Sequence, residues 1–379
     1  MLDADTFKGF APDNLMIGKG VASIGDQTFM GKKIRLVVFE EGVTVIGSEA
    51  FEGCSIESVS LPATLKELGS GAFENCSALK RAVFSGKELK ILPERCFAGC
   101  LKLSEVVLPL GVEEICEDAF YQCVPEQVTL PDSVKLIKTG AFRYCELKRI
   151  DLGKGLQRVD SYAFAACPDL EELVFPESLE GLAYGAVSGC PSLKKIVFKG
   201  DEVETDNESF LNCGGVTEIV LPKKQKILNM TGFPLLSKVT LPRDLTVLEG
   251  SIFHGNTVIT ELTLPASVER IGDAVFMNCA IERIVLPEGL KEIGRSAFAG
   301  CEKLKQIDLP EGLEVLGDSP FIGCKSLKSV TVPKGVTSLV GTFSRCSLLE
   351  TVILHEEITH ISGAFSFCTS LKEMTLPAS

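Results

Sequence analysis

An Ala-Phe-x-Gly-Cys unit recurs from one end of the chain to the other. Phe holds the same place at sixteen positions from Phe7 to Phe365, and Val187 fills the one gap. The spacing is about 22 to 23 residues; only the 20-residue step from Phe233 to Phe253 departs by more than two. Thirteen of the fifteen cysteines stand three residues after these positions, so that only Cys96 and Cys116 fall outside the register. Such a period marks a stack of short supersecondary units, each too small to bury a core alone and each buried against its neighbours. The 379 residues then need no second domain, and residues 1–379 are expected to form one solenoid of about 16 to 17 coils.

Each unit has two parts, seen plainly from Ile281 to Pro287 and from Gly289 through Gly294 to Cys301. The first part, L-x-x-V-x-L-P, alternates apolar and polar residues at period 2 and is rich in Val, Ile and Thr, which predicts a strand. Proline ends it because it has no N–H to give to a ladder. The second part carries Gly followed by Asp or Ser, as at Gly25-Asp26, Gly47-Ser48 and Gly272-Asp273. That pair is expected to cap about one helical turn bearing the Phe.

These halves, L-x-x-[IV]-x-[LI]-P and I-G-x-x-A-F-x-x-C, resemble the leucine-rich repeats of the BspA-like, or Treponema pallidum type, class over about residues 4 to 377. The resemblance implies an α/β solenoid, a right-handed curved superhelix with parallel strands on the concave face and short helical turns outside. It also implies a non-enzymatic protein-binding molecule at a cell surface or secreted, often an adhesin contacting host or neighbouring cells. The N-terminal MLDADTFKGF has no basic n-region and apolar h-region, and many thiols are free to stay reduced. An intracellular scaffold for an endogenous protein is therefore the alternative.

Composition removes other classes. No apolar run reaches the roughly 18 to 20 residues of a membrane span. With 38 basic against 51 acidic residues and a net charge of −13, the longest basic group is Lys223, Lys224 and Lys226, and nucleic acid is not an expected partner. Catalytic constellations are thin, since the only histidines are His254, His355 and His360, without a triad context or a glycine-rich phosphate loop. No cofactor and no metal are expected. The repeating cysteines are expected to form a ladder of reduced, buried thiols, because each internal Cys has two equivalent neighbours and a free Cys packs as a small hydrophobe.

Two outward columns follow along the strands. One alternates in charge, from Arg81 and Glu105 through Gln127, Arg149, Glu172 and Lys195 to Gln306. The other is nearly all β-branched and includes Val174, Val197 and Val220. Both suit a sheet exposed on one face. The valine stripe is also a candidate ligand surface, although it lacks the Trp and Tyr that anchor most interfaces. All four tyrosines, Tyr121, Tyr144, Tyr162 and Tyr184, fall in successive coils beside Arg143. They are either scattered surface residues or a protein-binding patch, and with the three valines they are the candidate partner-binding residues.

Three further expectations come from irregular places. Between Val187 and Asn256 the pattern weakens, at Leu236, Asn256 and the Gly214-Gly215 pair, which predicts a bend or local defect. Asn75, Asn207 and Asn229 lie in sequons, which matter only in a secretory eukaryotic cell. Finally, Leu371 to Leu376 reads as a strand followed only by Pro377, Ala378 and Ser379, so the chain is expected to be cut from a longer protein or to associate end to end.

Overall fold

The computed structural model describes residues 1–10, 12–206, 208–225, 227–230 and 232–375. The Asn207 sequon, Lys226, the Asn229 side chain and the segment from Leu376 through Pro377 lie outside the described residues. The chain forms two compact units, Met1–Cys213 and Gly214–Ser379. The division falls inside the stretch where the repeat weakens.

Both units are parallel-strand β-solenoids in which a coil contributes two strands. In the first unit, Asn14–Ile17, Leu36–Phe39, Ser58–Leu61, Arg81–Phe84 and Glu105–Val107 pair in order. The period-2 pattern is visible in Ser58–Leu61, where Val59 and Leu61 are buried while Ser58 and Ser60 are exposed. In the first unit the second strand of a coil is only two residues long. Ile91–Leu92, Glu114–Ile115, Leu136–Ile137, Arg158–Val159, Gly181–Leu182 and Glu204–Thr205 form a six-stranded sheet of these short pieces. The second unit repeats the scheme, with Glu261–Thr263 against Arg283–Val285, and Ile227–Met230, Val247–Gly250, Arg270–Ile271, Glu292–Ile293 and Val315–Leu316 side by side.

The expected helical turns are not present. Among the described residues the only helix is a 3₁₀ turn at Asp5–Phe7. The segment carrying the Phe is instead a run of turns whose amides point alternately inward and onward. In one coil Ala119, Tyr121 and Cys123 donate to Cys116, Asp118 and Phe120 of the same coil, while Asp118, Phe120 and Gln122 donate to Thr139, Ala141 and Arg143 of the next. An α-helix needs every amide directed along its own axis. Half of them are committed to the neighbouring coil here, and left-handed φ angles of 50° at Asp118 and 60° at Gln122 break helical winding on both sides of Phe120. The acidic residue after Gly also acts between coils rather than as an N-cap. Asp26 Oδ1 accepts from the Ser48 amide at 2.8 Å, and Asp273 Oδ1 accepts from the Arg295 amide at 2.7 Å.

The core is a stack of rings and thiols. Phe51 and Phe73 lie 5.3 Å apart with their planes 2° from parallel, and Phe276 and Phe298 lie 4.9 Å apart at 7°. Where Val187 interrupts the ladder, two strand-end rings, Phe175 and Phe198, stack at 5.0 Å and meet Phe210 edge-on. Ladder thiols donate to a carbonyl of the preceding coil's ladder residue, as Cys76 Sγ to Phe51 at 3.1 Å, Cys324 Sγ to Phe298 at 3.3 Å and, where Val replaces Phe, Cys213 Sγ to Val187 at 2.9 Å. A hydroxyl or a larger group does not fit both tasks, a weak donor and a small apolar filler, as well as cysteine does.

All fifteen cysteines are free thiols; thirteen are buried, and Cys116 and Cys368 are half-buried. Burial pushes the thiols of Cys54 and Cys279 up to about 11 and those of Cys100 and Cys346 up to about 12. They therefore remain protonated at neutral pH, and the thiolate is the reactive form. Thiol titration of the native protein at pH 7 should label only Cys116 and Cys368 readily, and denaturation without reductant should release all fifteen. A shortfall after denaturation, reversed by reductant, would show disulfides and contradict the packing described here.

Candidate functional site

The alanine before a ladder Phe packs inward, as Ala119 and Ala141 do, whereas the long side chains after Phe120 and Phe142 lie at the surface. Tyr121 and Arg143 each follow a ladder Phe directly and so stand in one outward column on adjacent coils. Tyr144 comes two residues after Phe142, and Tyr162 two residues before Phe164. Both of these adopt left-handed backbone, with φ of 60° and 59°. The same two columns hold Gln27, Glu49, Asn75, Arg95 and other residues at positive φ, so the conformation belongs to the repeat and is not peculiar to the tyrosines.

The structure gathers the four rings into two pairs. Tyr121 and Tyr144 meet edge to face at 5.6 Å and 89°, and Tyr162 and Tyr184 at 5.5 Å and 79°. The Arg143 guanidinium lies 4.9 Å from the Tyr144 centroid and 6.0 Å from that of Tyr121, joining the first pair by cation–π contact. Tyr144, Tyr162 and Tyr184 are exposed, and Tyr121 is half-buried. Hydrogen bonds to the Glu208 carboxylate and to Tyr162 hold the Tyr184 hydroxyl and push its pKa up to about 12. The phenol therefore stays a neutral donor throughout the physiological range. Edge-to-face pairs with a stacked guanidinium are rigid, amphipathic and cheap to order, the qualities of an interface anchor.

The valine stripe is divided. Val174 and Val197 are direct register partners, both half-buried. Val220 is exposed in the second unit, in register with Thr240. Beside Val174 a cleft of about 740 Å³ is floored by Ile150 and Pro176 and edged by Asp151, Lys154 and Lys199. The charged column pairs as its alternation suggests: Arg81 with Glu105 at 2.8 Å, Lys195 with Glu172 at 3.2 Å and Lys238 with Glu218 at 3.1 Å. A second charged column one residue earlier escaped the sequence reading. In it Glu57 holds both Arg35 at 3.0 Å and Lys80 at 3.4 Å, and the hydrogen bonds they donate, with their charges, lower its pKa. These exposed pairs are screened, and each contributes little.

The short strands carry the residue that sequence reasoning missed. Their outward column runs Ile91, Glu114, Leu136, Arg158, Gly181 and Glu204 in register, and Gly181 opens a cleft of about 520 Å³ reaching Tyr184. The signal for it lies in the I-G half of the repeat, where Gly181 occupies a column whose other members in this sheet are all long side chains. The histidines show no catalytic grouping. His355 Nδ1 accepts from the Glu357 amide at 3.2 Å, so Nε2 carries the proton and donates to the Val336 carbonyl at 3.1 Å. No cluster of metal-ligating side chains occurs among the described residues, and no helix among them is long and apolar enough to cross a membrane.

Comparison with solved structures places this fold among leucine-rich repeats. A leucine-rich repeat protein from Bacteroides ovatus is 24% identical, over 95% of this chain and 86% of that one, with a TM-score of 0.54. A leucine rich cell surface protein from Faecalibacterium prausnitzii is 23% identical over 97% of this chain and 89% of that one, with a TM-score of 0.42. The T. pallidum leucine rich repeat protein is 25% identical over 53% of this chain and 78% of that one, with a TM-score of 0.34. No curated protein matches. The family described as BspA type leucine rich repeat region, in six copies, matches residues 1–125, 113–234, 231–342 and 291–379. Its solenoids are suited to protein–protein interaction and are generally non-enzymatic scaffolds. From its ring-and-thiol core to its repeat register, this chain belongs to the BspA type leucine rich repeat family.

Proposed function

We propose that this protein is a non-enzymatic recognition module of the adhesin kind, binding a protein of a host or neighbouring cell through the tyrosine-bearing turns of the first unit. The observation that carries the reading is the pair of edge-to-face tyrosine contacts at the surface, one bridged by Arg143, on consecutive coils. Aromatic and arginine anchors are the residues on which interface energy concentrates. Cell-surface placement rests on the family. The valine stripe at Val174 and Val197 is a secondary contact, since β-branched side chains without aromatic anchors give a weak or multivalent surface.

Beads coated with the purified protein should adhere to target cells. Changing Tyr121, Tyr144, Tyr162 and Tyr184 together to Ser should abolish adhesion while leaving the melting curve nearly unchanged, because no ring belongs to the core. Adhesion at the original level by the quadruple variant would sink the tyrosine surface and turn attention to the valine stripe.

A second reading, an intracellular scaffold, is favoured by the fifteen free thiols, which suit a reducing compartment. It predicts no adhesion by the coated beads and recovery of the untagged protein in the cytosolic fraction.

A further inference from the structure

Gly181 stands where the repeat does not ask for glycine. Its backbone is not left-handed, and an added Cβ would meet only the Glu204 carbonyl oxygen at 3.6 Å and Glu204 Cβ at 3.9 Å, ordinary contacts. By contrast, a Cβ on Gly69 would come within 2.2 Å of the Ser48 amide nitrogen of the preceding coil. Glycine in a strand weakens it, and an unforced one marks a place where something else approaches closely. The missing side chain lies between two long ones, Arg158 and Glu204, on strands two coils apart and so about 9 to 10 Å from each other. The gap is thus one side chain thick.

The chemistry around this slot is one-sided. Glu180, Glu204 and Asp206 line it, and its one cation, Arg158, is turned to Asp160 at 3.6 Å. Tyr184 forms part of the wall and is fixed there by Glu208 and Tyr162.

We propose that this slot receives an arginine side chain from a basic segment of the partner protein. A guanidinium is flat enough for a gap one side chain thick, offers a fork of donors to Glu204 and its neighbouring carboxylates, and gains from an aromatic face at Tyr184. The net charge of −13 draws a basic segment toward the surface. Lysine, a strongly hydrated point charge, lacks the planar fork. The proposal deepens the recognition reading above, with which it shares Tyr184.

The test uses a short fluorescein-labelled Gly-Arg peptide and its Gly-Lys and Gly-citrulline counterparts, followed by anisotropy with the full chain. The Gly-Arg peptide should bind, the Gly-Lys peptide several-fold more weakly, and the citrulline peptide not at all. Gly181→Gln fills the slot without changing charge and should weaken Gly-Arg binding about tenfold or more, the loss expected when an anchor's pocket is closed. Glu204→Gln should weaken it comparably, and both variants should melt like the parent. Gly-Arg affinity unchanged by Gly181→Gln, or equal affinity for the lysine peptide, would reveal general attraction to an acidic protein and overturn the proposal. The two readings fail separately. Loss of cell adhesion in the tyrosine variant with peptide binding indifferent to Gly181→Gln removes only the slot. Intact adhesion in that variant with peptide binding abolished by Gly181→Gln removes only the tyrosine surface.

Discussion

Replacing Phe142 with alanine should lower the stability of the first unit by about 3 to 5 kcal/mol, the usual cost of truncating a buried aromatic ring. Phe142 is fully buried between Phe120, 5.1 Å away, and Phe164, 5.4 Å away, with its planes nearly parallel to both. The cavity left behind cannot readily close. Coil spacing on either side is fixed by the onward amide bonds of Phe120 to Ala141 and Phe142 to Ala163, both 2.8 Å, which do not shorten when the ring is removed. Urea melts followed by far-UV circular dichroism measure the loss. A change below about 1 kcal/mol would mean that the ring stack is not where the core energy lies.

Asn256→Ala should cost about 3 kcal/mol, a large effect for a position that looks like a fault in the repeat. Asn256 replaces a ladder cysteine and is fully buried. Its Nδ2 donates to the Phe233 carbonyl at 3.0 Å and to the Leu236 carbonyl at 2.9 Å, and its Oδ1 accepts from the amides of Val258 at 3.0 Å and Ile259 at 2.7 Å. Alanine strands the Leu236 carbonyl and the Ile259 amide away from water and removes the partner of the part-buried Val258 amide, and each such group costs about 1 kcal/mol or more. Asn256→Cys restores the bond to Phe233 used by the other coils and should recover part of the loss. An alanine variant within about 0.5 kcal/mol of the parent in the same urea melts would show that water or backbone shifts satisfy those groups.

Asn256 also shows how far sequence reading reaches. A buried position that faces the same neighbours in every coil must hold the same kind of residue, so Phe51, Phe73, Cys54 and Cys76 announce their own burial. Departures from the rule are harder to read. Asn256 departs from the pattern yet performs the cysteine's task with three extra hydrogen bonds, and only the neighbouring carbonyls reveal it. The short strands were not legible because two residues such as Arg158–Val159 carry no period. The helical turn was misjudged because a Gly-Asp pair says nothing about which coil's amide the carboxylate will meet, and Asp26 meets that of Ser48. At the surface, the grouping of tyrosines in successive coils could be seen, but their division into two pairs depends on where each stands relative to its Phe. Gly181 was hidden for a different reason: in a repeat full of glycines required by backbone geometry, one that is not required stands out only within its own column, between Arg158 and Glu204.

The alternation of amides in the turns bears on how such a chain changes length over generations. Within the first unit, the coils of Phe97, Phe120 and Phe142 each present the next with the same comb of donors, spaced two residues apart, and accept on the other side with a matching comb of carbonyls. A duplication or unequal crossover that adds or removes one whole period rejoins identical combs, and the offspring protein loses no bond at the seam. A deletion of one residue within a turn exchanges the inward and onward amides and leaves the coil bonded to neither side. Selection on a gene of this kind therefore passes whole repeats and rejects fragments of them, leaving the exposed letters between Phe and Cys free to diverge toward new partners.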